Sequence, residues 1–414
     1  MRIASALGGK IVSLLTLMLC TSFPPAVAKG YRIVLHSEYF GIHIHRADRG
    51  TRWPFVPFGS WRLWASRVSW AKLEPYRGDW QFRRLDHLMN LADEHHVEPL
   101  LTLGVTPQWA SARPYEPFVY GAGGAAEPRN LSDWEEYIRT VATRYEGRLH
   151  YYEIWNEPAE SDFEPVKSAF FTGTVGDLVD LTCSAYRVLK SVDPTIQVVG
   201  PGFVGVPERL DRFLAFGGGQ CIDIVGYHFY SLTPERMYQE VLHVRDIMSS
   251  HGLADDPLWN TEQGFVIDRK RKLGYQVADE ETYAAYIPRA FVLAAWGGVD
   301  RFFFYSWEHV LTRGGSPTPM TRALAATVRW LLNTKVLSCD KRSDGVWSCA
   351  LERNGQHAWL VWSVLGSRMW VPPDSWQAVG AETIGGRRTV LEGQSVSLGK
   401  APVLVLQNMF SWRN

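Results

Sequence analysis

Apolar, β-branched and aromatic runs recur along the chain at 40–45, 61–65, 98–103, 150–155, 196–200, 222–228, 257–262 and 301–307. Between them, apolar residues return at helical spacing over 84–92, 134–142, 178–190 and 283–295. Ser132 with Glu135 three residues on predicts a capping box opening the second of these helices. Strands that are apolar without alternation are buried on both faces, so helices separating such strands predict a parallel sheet covered on both sides. Eight units of this kind predict an α/β fold, a closed (β/α)8 TIM barrel. An open doubly wound sheet fits less well, because no Gly-rich phosphate loop follows the first strand.

From about Val336 the pattern changes to short strand-like runs joined by Gly, Pro and Asn/Asp turns, which predicts a small C-terminal β-sandwich. The run 31–35 is a candidate extra strand for it. The N-terminus reads as an address. Arg2 and Lys10 precede an apolar run over 11–20, and Ala26-Val27-Ala28 closes it with an A-x-A signal. Leu19 before Cys20 does not fit a lipid-attachment motif. The expected organisation is a signal peptide over 1–28, a barrel over 29–335 and a sandwich over 336–414, in an exported chain that is periplasmic or secreted. The apolar run is too short to span a bilayer, and no stable membrane insertion is expected after cleavage.

Composition narrows the function. The chain has 414 residues, 43 basic and 43 acidic, and this balance gives no footprint for nucleic acid. Trp is abundant, 18 beside 19 Phe, which points to a large core, aromatic binding platforms, or both. Removing the predicted signal leaves four cysteines. Cys339 and Cys349 flank a hairpin-like stretch and pair most naturally; Cys183 and Cys221 are then either the second bridge or two buried thiols. CxxC spacing is absent, so structural zinc is not expected.

The chemistry sits at strand ends. The fourth run ends Glu153-Ile154-Trp155-Asn156-Glu157-Pro158 and the seventh ends Trp259-Asn260-Thr261-Glu262-Gln263-Gly264. Barrel active sites gather where strands end and βα-loops begin. Two carboxyl groups across one barrel mouth are what glycoside hydrolysis needs, one to protonate the leaving oxygen and one to attack the anomeric carbon.

These motifs resemble those of clan A glycoside hydrolases, nearest to glycoside hydrolase family 39 and its relatives. Glu153–Pro158 resembles the acid/base motif and Thr261–Gly264 the nucleophile motif. Trp61-Arg62-Leu63-Trp64, Trp80-Gln81-Phe82, 106–111 and Tyr227-His228-Phe229-Tyr230 are further matches. Gln263 departs from the bulky residue often found after the nucleophile. The resemblance implies that Glu157 is the general acid and then base, with a raised pKa, and that Glu262 is the nucleophile, kept ionised by Arg62. It implies that Asn156 bonds the sugar 2-hydroxyl and that Tyr230 or His228 orients Glu262. His43 and His45 would line the sugar floor, and Trp109 and Trp307 would stack on sugar faces. Glu153 reads as a structural carboxylate below the catalytic pair. Trp347, Trp359 and Trp362 read as core or interface.

The expected protein is therefore a monomeric retaining β-glycosidase that needs no metal or organic cofactor. Its partner is an extracellular or periplasmic polysaccharide or oligosaccharide, and its two carboxyl groups lie about 5–5.5 Å apart. Competing readings are a non-catalytic carbohydrate-binding protein on the same scaffold and a transglycosylase.

Overall fold

The computed structural model describes residues 34–409 and 412, apart from 65, 164–169, 268–275, 278, 315 and 392–394. The predicted signal peptide lies outside the described residues.

A nine-stranded, all-parallel sheet organises the larger part of the chain. Its strands run, in spatial order, Gln197–Val199, Tyr151–Ile154, Glu98–Leu103, Ser60–Arg62, Phe40–His43, Val299–Phe304, Leu258–Gln263, Val225–His228 and Phe203–Val204. The sheet curls until its edges meet. Val199 and Ile224 form a parallel bridge across the two edges, and Asn156 bridges Gly202. This is the curvature of a TIM barrel, with its fifth strand in two pieces. Gly200, Pro201 and Gly202 interrupt that strand, and proline cannot supply the ladder N–H.

Helices Arg83–His95, Leu131–Arg144, Val175–Val192 and Pro234–Ser250 bury one face each against the sheet or one another, and Glu280–Trp296 is buried almost all round. The cap predicted at Ser132 is not used. The helix already begins at Leu131, with Asn130 in the capping position and no side-chain cap bond. Asp133, in its first turn, is instead gripped at both oxygens by Arg77, at 2.8 and 2.9 Å.

Inside the curled sheet the floor is apolar: Leu100, Val199, Ile224, Trp259 and Phe303 form a buried cluster of their own. One layer up, two residues further along the same strands, Thr102 and Glu153 face inward. The interior thus changes from oil to charge along the strand direction, toward the loops.

The C-terminal part is antiparallel. A seven-stranded sheet runs in the order Val34–Leu35, Thr334–Lys341, Val346–Arg353, Gln356–Ser363, Val403–Leu406, Gly380–Thr383, Arg388–Val390. The early strand expected near 31–35 is its edge, over Val34–Leu35. The ribbon of Arg368–Trp370 and Val396–Leu398 covers one face through Trp370, Val396 and Leu398. The other face shares its core with the parallel part, where Trp362 Nε1 donates to Glu235 at 2.8 Å and Glu235 also receives Arg289. Trp347 and Trp362 stack in parallel beside that junction.

Both disulfides are formed. Cys339 and Cys349 are direct cross-strand partners, and Cys183 and Cys221 are joined, so the alternative of free thiols is not realised. Cys221 lies three residues before Ile224, so the second bridge ties the helix Val175–Val192 to the edge where the sheet meets itself. Among the described residues, no helix is long and apolar enough to cross a membrane.

Candidate active site

Arg62 ends its strand inside the barrel and is fully buried. Its guanidinium places its donors on three acceptor residues at the ends of two strands. Nε meets Glu153 Oε2 at 2.7 Å, Nη1 meets Glu262 Oε2 at 2.8 Å, and Nη2 meets Asn156 Oδ1 at 2.8 Å. Thr102 adds a 2.6 Å hydrogen bond from its hydroxyl to Glu153 Oε2. A buried guanidinium is tolerable only with such pairing.

Local backbone irregularities aim the two candidate catalytic carboxyls. In the strand Leu258–Gln263, Phe302 pairs with Asn260 but Phe304 pairs with Gln263, so one extra residue is inserted. With Trp259 facing inward, strict alternation would turn Glu262 outward; the bulge turns it in. His43 Nε2 lies 3.1 Å from the Thr261 carbonyl and holds this bulge. After Tyr151–Ile154, Trp155 and Glu157 adopt left-handed backbone at φ 66° and 44°. That turn sends the Trp155 indole into the outer core against Phe171 and Trp134, and leaves Asn156 and Glu157 at the mouth. Left-handed non-glycine residues are strained and collect at functional sites.

Tyr230 and His228 share one face but serve different carboxyls. Tyr230 donates to Glu262 Oε1 at 2.9 Å, while His228 Nδ1 lies 3.0 Å from Glu157 Oε1. Glu157 is pushed up to about 7 by burial, against the pull of Arg62. Glu262 is also raised by burial, with Arg62 and Tyr230 drawing it back. Arg62 therefore limits the rise at Glu262 without setting it below the ordinary carboxylate value, a correction to the sequence expectation. Glu262 has a cation and a phenol in contact and Glu157 has neither, so the negative charge belongs on Glu262 and the proton on Glu157.

Other candidate residues fall differently from expectation. His43 is buried and bound to backbone, and His45 packs against Tyr305 with ring centroids 5.0 Å apart. Trp307 is 2% exposed, edge-on to Phe55, with its N–H on the Arg52 carbonyl. Trp109 carries the Arg77 guanidinium 4.4 Å over its ring and donates to the Glu74 carbonyl, so one of its faces is already occupied. The sequence reading missed Tyr120 and Tyr305, which both feel the charges of Glu157 and Glu262. Tyr120 joins Trp64, Phe118 and Phe170 in an aromatic wall. A polar-tipped aromatic in a Gly-rich loop was the available signal for Tyr120, and one just past an apolar strand was the signal for Tyr305.

Glu157, His228 and Glu262 bring one ligand atom each within 4.8 Å of one another. That spread is wide for a shared ion at about 2.0–2.2 Å from each ligand, and Arg62 already neutralises Glu262. The trio is better suited to moving a proton and holding an anion.

The model of glycosyl hydrolases family 39 matches residues 72–307. A β-xylosidase of Geobacillus stearothermophilus is 25% identical over 271 residues, 58% of this chain and 50% of that protein. A β-xylosidase of Caldicellulosiruptor saccharolyticus is 28% identical over 159 residues, 36% of this chain and 31% of that protein. The matched region thus spans half or less of these relatives' length. A family 39 β-xylosidase structure from Caulobacter crescentus superposes with TM-score 0.63 at 16% identity, covering 92% of this chain and 98% of that one, a likeness of fold.

Proposed function

The chain belongs to glycosyl hydrolases family 39, and from that premise we propose that it is a retaining β-glycoside hydrolase acting on an oligosaccharide or polysaccharide outside the cytoplasm. The observation that carries the reading is the asymmetric environment of two carboxyls at one barrel mouth. Glu262 is held by Arg62 and Tyr230, and Glu157 is half-buried without a cation in contact. One of the Glu157 oxygens lies within 4.8 Å of one from Glu262, which supports the retaining geometry over the wider inverting one.

Glu157 gives its proton to the glycosidic oxygen as the C–O bond breaks, and Glu262 attacks the anomeric carbon to form a glycosyl–enzyme ester. Glu157, now a carboxylate, takes a proton from water, whose oxygen attacks the anomeric carbon and releases Glu262. Asn156, with Oδ1 fixed by Arg62, keeps its amide N–H groups for the sugar 2-hydroxyl. We read the parallel part as a closed (β/α)8 barrel up to about residue 335 and the antiparallel part as the small sandwich. The disulfides favour an oxidising compartment, in keeping with the signal reading of 1–28. The names of the relatives make β-xylosides the first substrates to try.

Glu262→Gln tests the reading: turnover should vanish while the circular dichroism spectrum stays that of the parent. Proton NMR of the first product released should show the retained anomer. Early inverted product, or a Glu262→Gln variant that still turns over, would reject it. Binding across a glycan panel with no hydrolysis would favour the non-catalytic alternative.

A further inference from the structure

Two buried polar atoms beneath the catalytic pair have no hydrogen-bond partner among the described residues: His228 Nε2 and Glu153 Oε1. They flank one point in the fold. A Cβ built on Gly202 would lie 2.6 Å from His228 Nε2 and 3.1 Å from Glu153 Oε1. Gly226, two residues before His228, borders the same oxygen, its Cβ position being 3.7 Å from Glu153 Oε1 and 2.7 Å from the Gly200 carbonyl oxygen. Gly202 thus leaves room between an imidazole nitrogen and a carboxylate oxygen that do not bond each other but lie close enough for the Glu153 charge to be felt at His228. The other oxygen of Glu153 is spent on Arg62 and Thr102.

We propose that Glu153 fixes the tautomer of His228, placing the ring proton on Nε2 and leaving the Nδ1 lone pair toward Glu157, so that Glu157 is held as the proton-bearing acid. An ionised Glu153 paired with Arg62 only accepts, so the nitrogen facing it is favoured with its proton on. Full burial keeps His228 neutral, pushed down to about 4, so the ring carries one proton and Nδ1 has none. The 3.0 Å contact between Nδ1 and Glu157 Oε1 is then a hydrogen bond only if Glu157 donates it. Glu153 acts through His228 and is a positioning residue, not a catalytic one.

The arrangement changes sign during the reaction. Once the Glu157 O–H bond breaks and its proton joins the leaving oxygen, a carboxylate faces a lone pair across 3.0 Å. That repulsion favours recovery of the proton from the incoming water in the second step. The charged and titratable groups around this pair are Glu262, Arg62 and Glu153, whose charges reach His228, with Tyr230 on Glu262 and Tyr120, Tyr305 and His43 further out. Among these, Glu153 is the acceptor that faces Nε2.

The inference rests on the assignment of Glu157 as the acid, but its first test needs no turnover. Nitrogen-15 NMR of the resting protein near pH 6 should show His228 protonated at Nε2 and bare at Nδ1; the opposite tautomer, or an imidazolium, overturns the proposal. The second test is the pH profile of kcat/KM. Glu153→Gln and Gly202→Ala should each move the basic limb down by about one pH unit or more, a tenfold loss at pH 8, with KM little changed. A basic limb that stays in place in a folded Glu153→Gln variant overturns it. If neither variant folds, the tautomer measurement decides alone. A correct tautomer in a protein without hydrolase activity would fault the proposed function and leave this inference standing.

Discussion

Arg62 and Glu262 meet at 2.8 Å with the guanidinium fully buried, yet Glu262 is only one of three residues that Arg62 binds. The cation is shared between a candidate nucleophile, a structural carboxylate and an amide. Each consequence of that sharing is measurable.

Replacing Arg62 by Met leaves Glu153 buried without its cation and Glu262 with Tyr230 as its remaining hydrogen-bond donor. Loss of one partner of a buried ion pair costs about 3–5 kcal/mol. The expected outcome is a large drop in unfolding free energy, read by urea titration, together with loss of most turnover. Arg62→Lys should recover part of the stability and little of the turnover, because an ammonium cannot present the same fork.

Tyr230→Phe removes one hydrogen bond to Glu262 and leaves the ring in place. A net cost of about 1–1.5 kcal/mol corresponds to roughly five- to fifteenfold in rate. It should fall on kcat with KM nearly constant, since the bond orients the attacking carboxylate; steady-state kinetics on an aryl β-glycoside would show it.

The pH profile follows from the two carboxyls. Glu157 must be protonated to act as acid, so activity is present below about 7 and is lost as pH rises through about 7. Glu262 must be ionised, and burial raises it, so the acid limb should lie above the ordinary carboxylate value. A kcat/KM profile that stays flat to pH 9 would contradict the acid assignment.

Reduction should weaken the chain at a specific place. Cys183 and Cys221 are 38 residues apart in sequence, and a loop of that size corresponds to about 4 kcal/mol of chain entropy. A Cys183→Ser/Cys221→Ser variant should melt several degrees lower, with hydrogen exchange accelerating first around 198–200 and 222–225, where the sheet meets itself.

The strands were legible because a doubly covered parallel sheet writes itself as unbroken apolar runs, and the site because two glutamates closed two of those runs. What escaped the pattern was local. The bulge that turns Glu262 inward depends on pairing with Phe302 and Phe304, forty residues away. The split of the fifth strand at Pro201 looks like a turn in sequence and becomes part of the wall only in three dimensions. Trp109 gave no sign that Arg77 would cover it, and Ser132 matched a cap that Leu131 pre-empts. Tyr120 lies in a Gly-rich loop with no period to read.

On the proposed assignment of Glu157 as the acid, its left-handed backbone sets stability against turnover at a single residue. Glutamate is a poor occupant of that conformation, which asparagine and glycine accept more readily. A glycine or asparagine there would relieve strain and remove a half-buried carboxyl, so the inactivated chain should be the sturdier one, by about 1 kcal/mol or more. Selection for thermal endurance alone would therefore drift away from Glu157, and its presence at φ 44° is a cost that folding does not explain.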